Sequence, residues 1–336
     1  MDAWAAPCAG SPVIRREAAR DRHPRRSLGS WCALVLVLSI AAMAGPARTA
    51  PSVREITVAG SRITVELDPD EFSLGQDALV TWVETSARAV ASFYGRFPVE
   101  KARVRLIPTR GSQVVTGRTE AIGGVDIRVV VGRATDAEAL AQDWIMVHEL
   151  VHLAFPSVPR PHHWIEEGLA TYVEPLARLE IGEVPPERVW LDLLDGLPKG
   201  LPRAGDRGLD FTPTWGRTYW GGALFCFLAE LEIRERTNDA KGLRDALRGI
   251  VAAGGSMQVR WPLRRALSVG DAAIGEPVLV ELYDRMKDQP APVDLDVIFA
   301  ELGIARDGAG LRLDPSAPRA STRRAIAPEP EHPASE

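Results

Sequence analysis

His148-Glu149-Leu150-Val151-His152 places the tightest limit on what this chain can fold into. Two imidazoles four residues apart share one face of an α-helix, so the pair can act together only if this segment is helical. The flanks agree with that. Thr135 and Glu138 have the spacing of a capping box, and Leu140, Trp144, Val147, His148, Val151 and Phe155 recur at threes and fours. Pro156 then stops the run, so the pattern predicts one helix from Thr135 to Phe155.

The residue types point to metal chemistry. Zinc accepts neutral imidazole readily, and a catalytic zinc keeps three protein ligands and one water. Glu149, beside the first histidine, is placed to serve as general base toward that water. The plain alternative is a helix that merely buries two histidines. A third histidine of the metzincin kind is excluded, because Phe155 and Val158 stand where glycine and histidine would be needed. Acidic candidates follow in Trp164-Ile165-Glu166-Glu167-Gly168-Leu169-Ala170, on a helix expected from about His162 to Leu179 after a short Pro-rich loop. A carboxylate from there would complete a His₂Glu set.

The succession H-E-x-x-H and then W-x-x-E-G-x-A resembles the gluzincin clan: thermolysin-like peptidases, M1 aminopeptidases and glycyl aminopeptidases. The resemblance covers roughly residues 100–235. It implies that the glutamate before the glycine, Glu167, is the third ligand beside His148 and His152, leaving Glu166 at the surface or facing substrate. Tyr219-Trp220-Gly221-Gly222-Ala223 is similar to the Tyr-x-Lys-Gly segment of M1 enzymes, which implies that the Tyr219 hydroxyl stabilises an oxyanion. A buried aromatic at a helix start is the competing reading of Tyr219. Glu174 matches an acidic position seven residues beyond the ligand in M1-type enzymes, although an exposed helix charge is the simpler reading.

The implied architecture is α+β, a two-lobed gluzincin (thermolysin-like) metalloprotease fold. Its strand-rich lobe would span 53–134 and its helical lobe 135–312, with one zinc ion at their junction. The implied activity is hydrolysis of peptide bonds in a peptide or protein substrate by metal-activated water, with Glu149 as base. Three features depart from the clan. Only 14 residues separate His152 from Glu167. The Gly-Ala-Met-Glu-Asn segment with which M1 enzymes read a free amino terminus is absent, Glu120-Ala121-Ile122-Gly123-Gly124 being at best a remnant. The chain is also much shorter than multi-domain aminopeptidases and closer to compact peptidase-MA-like proteins. Two rival functions remain: a non-catalytic binding or regulatory module of the cell envelope, and a zinc hydrolase acting on a non-peptide amide.

Elsewhere the pattern is simpler. Glu55 to Leu67 reads as a β-hairpin about Ala59-Gly60-Ser61-Arg62, and Ser73 with Gln76 suggests the capped start of a helix that Gly95 ends. Val104–Ile107 and Asp126–Val131 read as strands, the second expected to line the cleft, with a turn at Gly123-Gly124 between them. The chain beyond is mainly helical, with a strong apolar segment over Tyr219–Ile233. A disordered tail is expected over 313–336. Asp143 and Thr171 are both candidates to orient an imidazole. His162 and His163 could lend a contact behind the metal ligands, but beside Pro161 they read more simply as solvent-facing, and Cys226 reads as core.

At the amino terminus six arginines precede an apolar run of 14 residues, Trp31 to Ala44, ending in Ala42-Met43-Ala44. That run is short of the roughly 20 residues a spanning helix needs, and its end suits signal-peptidase cleavage. Residues 1–44 are therefore expected to be a signal peptide, touching the membrane only in transit, and the protein to be exported to the periplasm or beyond. Its removal takes the net charge from −5 to −8, since it carries 6 Lys/Arg and 3 Asp/Glu. An acidic chain is a poor ligand for nucleic acid. Cys8 and Cys32 would leave with it, and Cys226 would stand alone.

Overall fold

The structure, a computed structural model, describes residues 51–68 and 71–329; the expected signal peptide and the last residues of the expected tail lie outside them. β1 (Ser52–Val58) and β2 (Ser61–Leu67) form the expected hairpin, paired from Ser52↔Leu67 to Val58↔Ser61. Ala59 and Gly60 turn the chain with φ of 48° and 84°. Two consecutive positive φ values give the turn whose twist matches that of the strands. Along β2, buried Ile63, Val65 and Leu67 alternate with the more exposed Arg62, Thr64 and Glu66. One face of the sheet therefore meets the core and the other meets water.

α1 (Gln76–Tyr94) carries the chain across to β3 (Lys101–Thr109), which runs parallel to β2. Its cap is Gly75 with no side-chain bond, so the expected Ser73–Gln76 capping box is not used. Ser73 instead donates its backbone N–H to Arg133 O at 2.8 Å. β4 (Val114–Glu120) and β5 (Asp126–Gly132) complete a five-stranded sheet of order β1-β2-β3-β5-β4. β5 is parallel to β3 and antiparallel to β4. This overturns one expectation. Asp126–Val131 lies inside the sheet, and β4, which the sequence pattern did not single out, is the edge strand.

The expected single helix over 135–155 is broken. α2 (Ala137–Ala141) is capped by the Asp136 carboxylate, which accepts from Ala139 N at 2.9 Å. The chain then kinks at Gln142–Trp144, and α3 (Ile145–Val151) restarts beyond it. The cause is Asp143, whose two carboxylate oxygens accept from the backbone N–H groups of Ile145 (3.1 Å) and Met146 (3.0 Å). A side chain that satisfies those donors stands at a helix start, not in its interior.

α4 (His163–Glu180) folds back along α3. α5 (Pro186–Gly196), α6 (Gly222–Arg236), α7 (Leu243–Ala252), α8 (Leu263–Ile274), α9 (Val278–Met286) and α10 (Leu295–Leu302) follow. A small hairpin, β6 (Ile304–Asp307) and β7 (Gly310–Leu313), leads to α11 (Ala320–Ile326). A continuous set of buried apolar side chains runs from Val58 in the sheet to Ala327 after α11, so strands and helices share one core.

The expected disordered tail is thus folded as far as 329. Arg323 in α11 is fully buried. It donates to the carbonyls of Leu302 (2.8 Å), Gly303 (3.2 Å) and Asp314 (2.9 Å) and pairs with Glu329 (2.7 Å). A Pro- and charge-rich composition hid this, because one buried guanidinium with many acceptors, rather than an apolar stripe, holds the segment down.

Candidate metal centre

α3 is only 7 residues long, and it presents His148 and Glu149 before the chain tightens into a 3₁₀ turn at His152–Ala154. The two imidazoles stay one turn apart, with ring centroids 5.0 Å from each other. The connection that follows is braced from outside. Ser157 N donates to Val259 O (2.9 Å), Trp261 N to Ser157 O (3.1 Å) and Met257 N to Leu153 O (3.2 Å). This bracing lets so short a loop reverse the chain and bring α4 back against α3.

Glu167 then faces the histidines. Its Oε2 lies 3.2 Å from His148 Nε2 and 3.8 Å from His152 Nε2, and ligand atoms of all three residues lie within 4.8 Å of one another. All three side chains are buried to about nine-tenths, with 6%, 10% and 11% exposed. Ligands on a tetrahedral zinc with bonds near 2.0–2.1 Å sit about 3.3 Å apart. The donor set and its spacing therefore fit zinc. A carboxylate enclosed by imidazoles with no backbone donor between them is also the arrangement a cation would satisfy. Burial pushes the Glu167 carboxyl up, but the imidazoles of His152, His148 and His163 outweigh it and hold the group far below the usual range.

The glycine after Glu167 has a steric reason. A Cβ on Gly168 would overlap the backbone of Gly222, and one on Gly222 would overlap Trp164 O and the Gly168 backbone. α4 and α6 therefore touch backbone to backbone at this crossing. The contact sets the start of α6, and with it the π-helical turn Arg217–Gly221, beside His148. Tyr219 on that turn stacks with His148 at 6.3 Å between centroids and with Trp215 at 5.9 Å. Arg217, buried in the same turn, pairs with Asp206 at 2.8 Å and donates to Gly200 O at 2.5 Å.

Glu149 points to the edge strand. Thr119 Oγ1 on β4 lies 2.6 Å from Glu149 Oε2 and 2.9 Å from Glu149 O. Two residues earlier on β4, a Cβ on Gly117 would overlap the Glu149 side chain, so only glycine lets the carboxylate lie against the strand there. Burial pushes the Glu149 carboxyl up, opposed by the His152 imidazole and the Thr119 hydroxyl. Neither Thr119 nor Gly117 was evident in sequence. The β-branched run Val114-Val115-Thr116 was the available sign of a strand.

His163, read from sequence as solvent-facing, is half exposed yet bridges the acidic pair. Its Nε2 lies 3.1 Å from Glu167 Oε1 and its Nδ1 2.9 Å from Glu166 Oε2. These carboxylates push its imidazole up to about 10. Glu166 also accepts from Val158 N at 3.2 Å, so it ties the loop to α4. His162 is likewise not free in solvent. With Trp164 Nε1 (2.8 Å) and Tyr283 OH (2.8 Å), its Nδ1 (2.9 Å) converges on Asp210, clamping the start of α4 to α9.

Neither candidate for orienting an imidazole hydrogen-bonds to one. Asp143 caps α3, and Thr171 donates to Glu167 O at 2.8 Å. Glu174 is buried, not exposed, and pairs with Arg178 at 3.0 Å. Cys226 is buried in α6 as expected.

No protein-family model and no curated sequence matches the chain. Solved structures do. An aminopeptidase N family protein from Idiomarina loihiensis superposes with a TM-score of 0.55 at 13% identity, over 76% of this chain and 49% of that one. An M1 zinc metallopeptidase from Deinococcus radiodurans gives 0.44 at 18% identity, over 73% and 54%. The first shows that the chain shares the fold of that protein over the matched part, a mixed α/β arrangement built on the five-stranded sheet. The chain spans about half the length of these structures.

Proposed function

We propose that the chain is a zinc-dependent peptidase of gluzincin type, exported from the cell and acting on peptide or protein substrates. The observation that carries this reading is the convergence of His148, His152 and Glu167 beside a buried carboxylate, Glu149, that is turned to a sheet edge. In this reading His148, His152 and Glu167 hold the ion and leave a fourth position open. Bound there, zinc would polarise the scissile carbonyl and acidify a water.

The protein's own groups do the rest. Glu149, fixed by the Thr119 hydroxyl, takes a proton from the attacking water and delivers it to the amine nitrogen as the C–N bond breaks. Tyr219, stacked with His148 and with Trp215, is the candidate donor to the oxygen that becomes negative at the former carbonyl. β4 has a free edge among the described strands, and an extended peptide laid along it would pair with backbone groups next to Glu149.

Purified protein and a Glu149→Gln variant would be loaded with zinc and offered a mixed peptide library, with cleavage read by mass spectrometry. The reading expects about one zinc in each, cleavage by the wild type only, and a loss of at least about 10³-fold in the variant. Zinc without cleavage would favour a binding module, and cleavage only of non-peptide amides would move the substrate class.

A further inference from the structure

Behind the metal centre lies a second buried polar group that the proposed reaction does not use. On α4, Glu167, Glu174 and Arg178 are 7 and 11 residues apart, so all three lie on one stripe of the helix. At one end this stripe offers Glu167 to the histidines. About 16 Å away at the other end, by the helical rise, it offers Arg178 to the kink before α3. Arg178 is buried and donates to Ala141 O (2.9 Å), the last carbonyl of α2, and to Glu174 (3.0 Å) and Glu183 (3.3 Å). Asp143, on the far side of the kink, spends both carboxylate oxygens on the first N–H groups of α3.

This is an expensive way to start a helix. Asp143 is partly buried, and desolvation pushes its carboxyl up to about 6 despite the two backbone bonds and the nearby Arg178 charge. An uninterrupted helix over 135–155, which the sequence pattern favours, would have needed no such group. The kink instead gives α3 its own origin, and a helix of two turns has little intrinsic stability to hold its direction. The cap and the guanidinium supply that direction. They fix where α3 begins and how it lies along α4, and so where His148 and His152 stand relative to Glu167.

We infer that Asp143, which caps α3, and Arg178, which ties α4 to Ala141 O, are positioning residues that set the two metal-bearing helices against each other, so that metal affinity depends on contacts five and seven residues upstream of the first ligand. The inference rests on the zinc-site reading above. Its test is zinc affinity by chelator competition, together with the visible spectrum of the cobalt(II) form, which reports ligand geometry. Urea unfolding of the metal-free protein is measured in parallel.

Asp143→Ala is expected to weaken zinc about 10-fold and to change the cobalt spectrum, as removal of groups that orient ligands does. Asp143→Ser, which keeps a capping oxygen, should recover affinity to within about threefold. Should Asp143→Ala fail to fold, the isosteric Asp143→Asn keeps one acceptor and turns a donor toward the other N–H, and it is expected to weaken zinc at least threefold. Arg178→Met should weaken zinc in the same direction. A merely structural role would lower the unfolding midpoint and leave zinc affinity and the cobalt spectrum of the folded variants unchanged; that result overturns the inference. A wild type that takes up no zinc overturns this and the metal-site reading together, whereas normal wild-type binding with unaltered variants overturns this alone.

Discussion

The buried pair Glu174–Arg178 predicts how stability should vary with pH. The Glu174 side chain is 10% exposed, and burial pushes its carboxyl from 4.5 up to about 8, with Arg178 opposing at 3.0 Å. The fold therefore favours the neutral acid. Stability from this group is complete below its unfolded value of 4.5 and is lost as pH rises through about 8. At about 1.36 kcal/mol per pH unit the ceiling is about 5 kcal/mol, and relaxation around the ion pair brings the expected effect to about 2 kcal/mol. Glu174→Gln removes the titration while keeping an acceptor for Arg178. At pH 5 the variant and the wild type should unfold alike, and by pH 8.5 the variant should be the more stable by that amount, roughly 4–8 °C in Tm. The measurement is urea and thermal unfolding of the metal-free protein at half-unit steps of pH, read by circular dichroism. Two curves that run parallel within about 0.5 kcal/mol from pH 5 to 8.5 would refute the argument, because the carboxyl would then not be raised by the fold.

Three further outcomes test other parts of the structure. Thr119→Val removes the hydroxyl 2.6 Å from Glu149 Oε2 and should lower kcat/KM about 10- to 100-fold at unchanged zinc content, while Thr119→Ser should restore most of it. Gly222→Ala puts a methyl into the α4–α6 crossing; it should destabilise by about 1–3 kcal/mol and lower kcat more than zinc affinity, because it moves Tyr219 rather than the ligands. Truncation after residue 312 strips the buried Arg323 and Ile326 from their partners and should cost several kcal/mol or prevent folding, whereas truncation after 329 should be neutral by thermal melt.

What the sequence could determine was local and periodic. The i, i+4 spacing of His148 and His152 puts both imidazoles on one face of a helix, and the Glu167-Gly168 pair carries the resemblance that names Glu167 as the third candidate ligand. Alternation over Glu55–Leu67 made the first hairpin plain. These features are written in one or two turns of chain and need no partner to be read. The tertiary structure decided the remainder, because each point depends on contacts across long stretches of sequence. Thr119 reaches Glu149 across 30 residues, and only the sheet order places β4 rather than β5 at the edge. The helical periodicity ran unbroken through Asp143, and competition from a side chain for two backbone donors broke it. Glu174 looked like a solvated charge until Arg178, four residues on, was buried with it against Ala141. Arg323 turned an apparent tail into part of the fold by collecting three carbonyls from two places in the chain. Hydrophobic period names the faces of helices and strands, but a buried polar group is explained only by the partners that the folded chain brings to it.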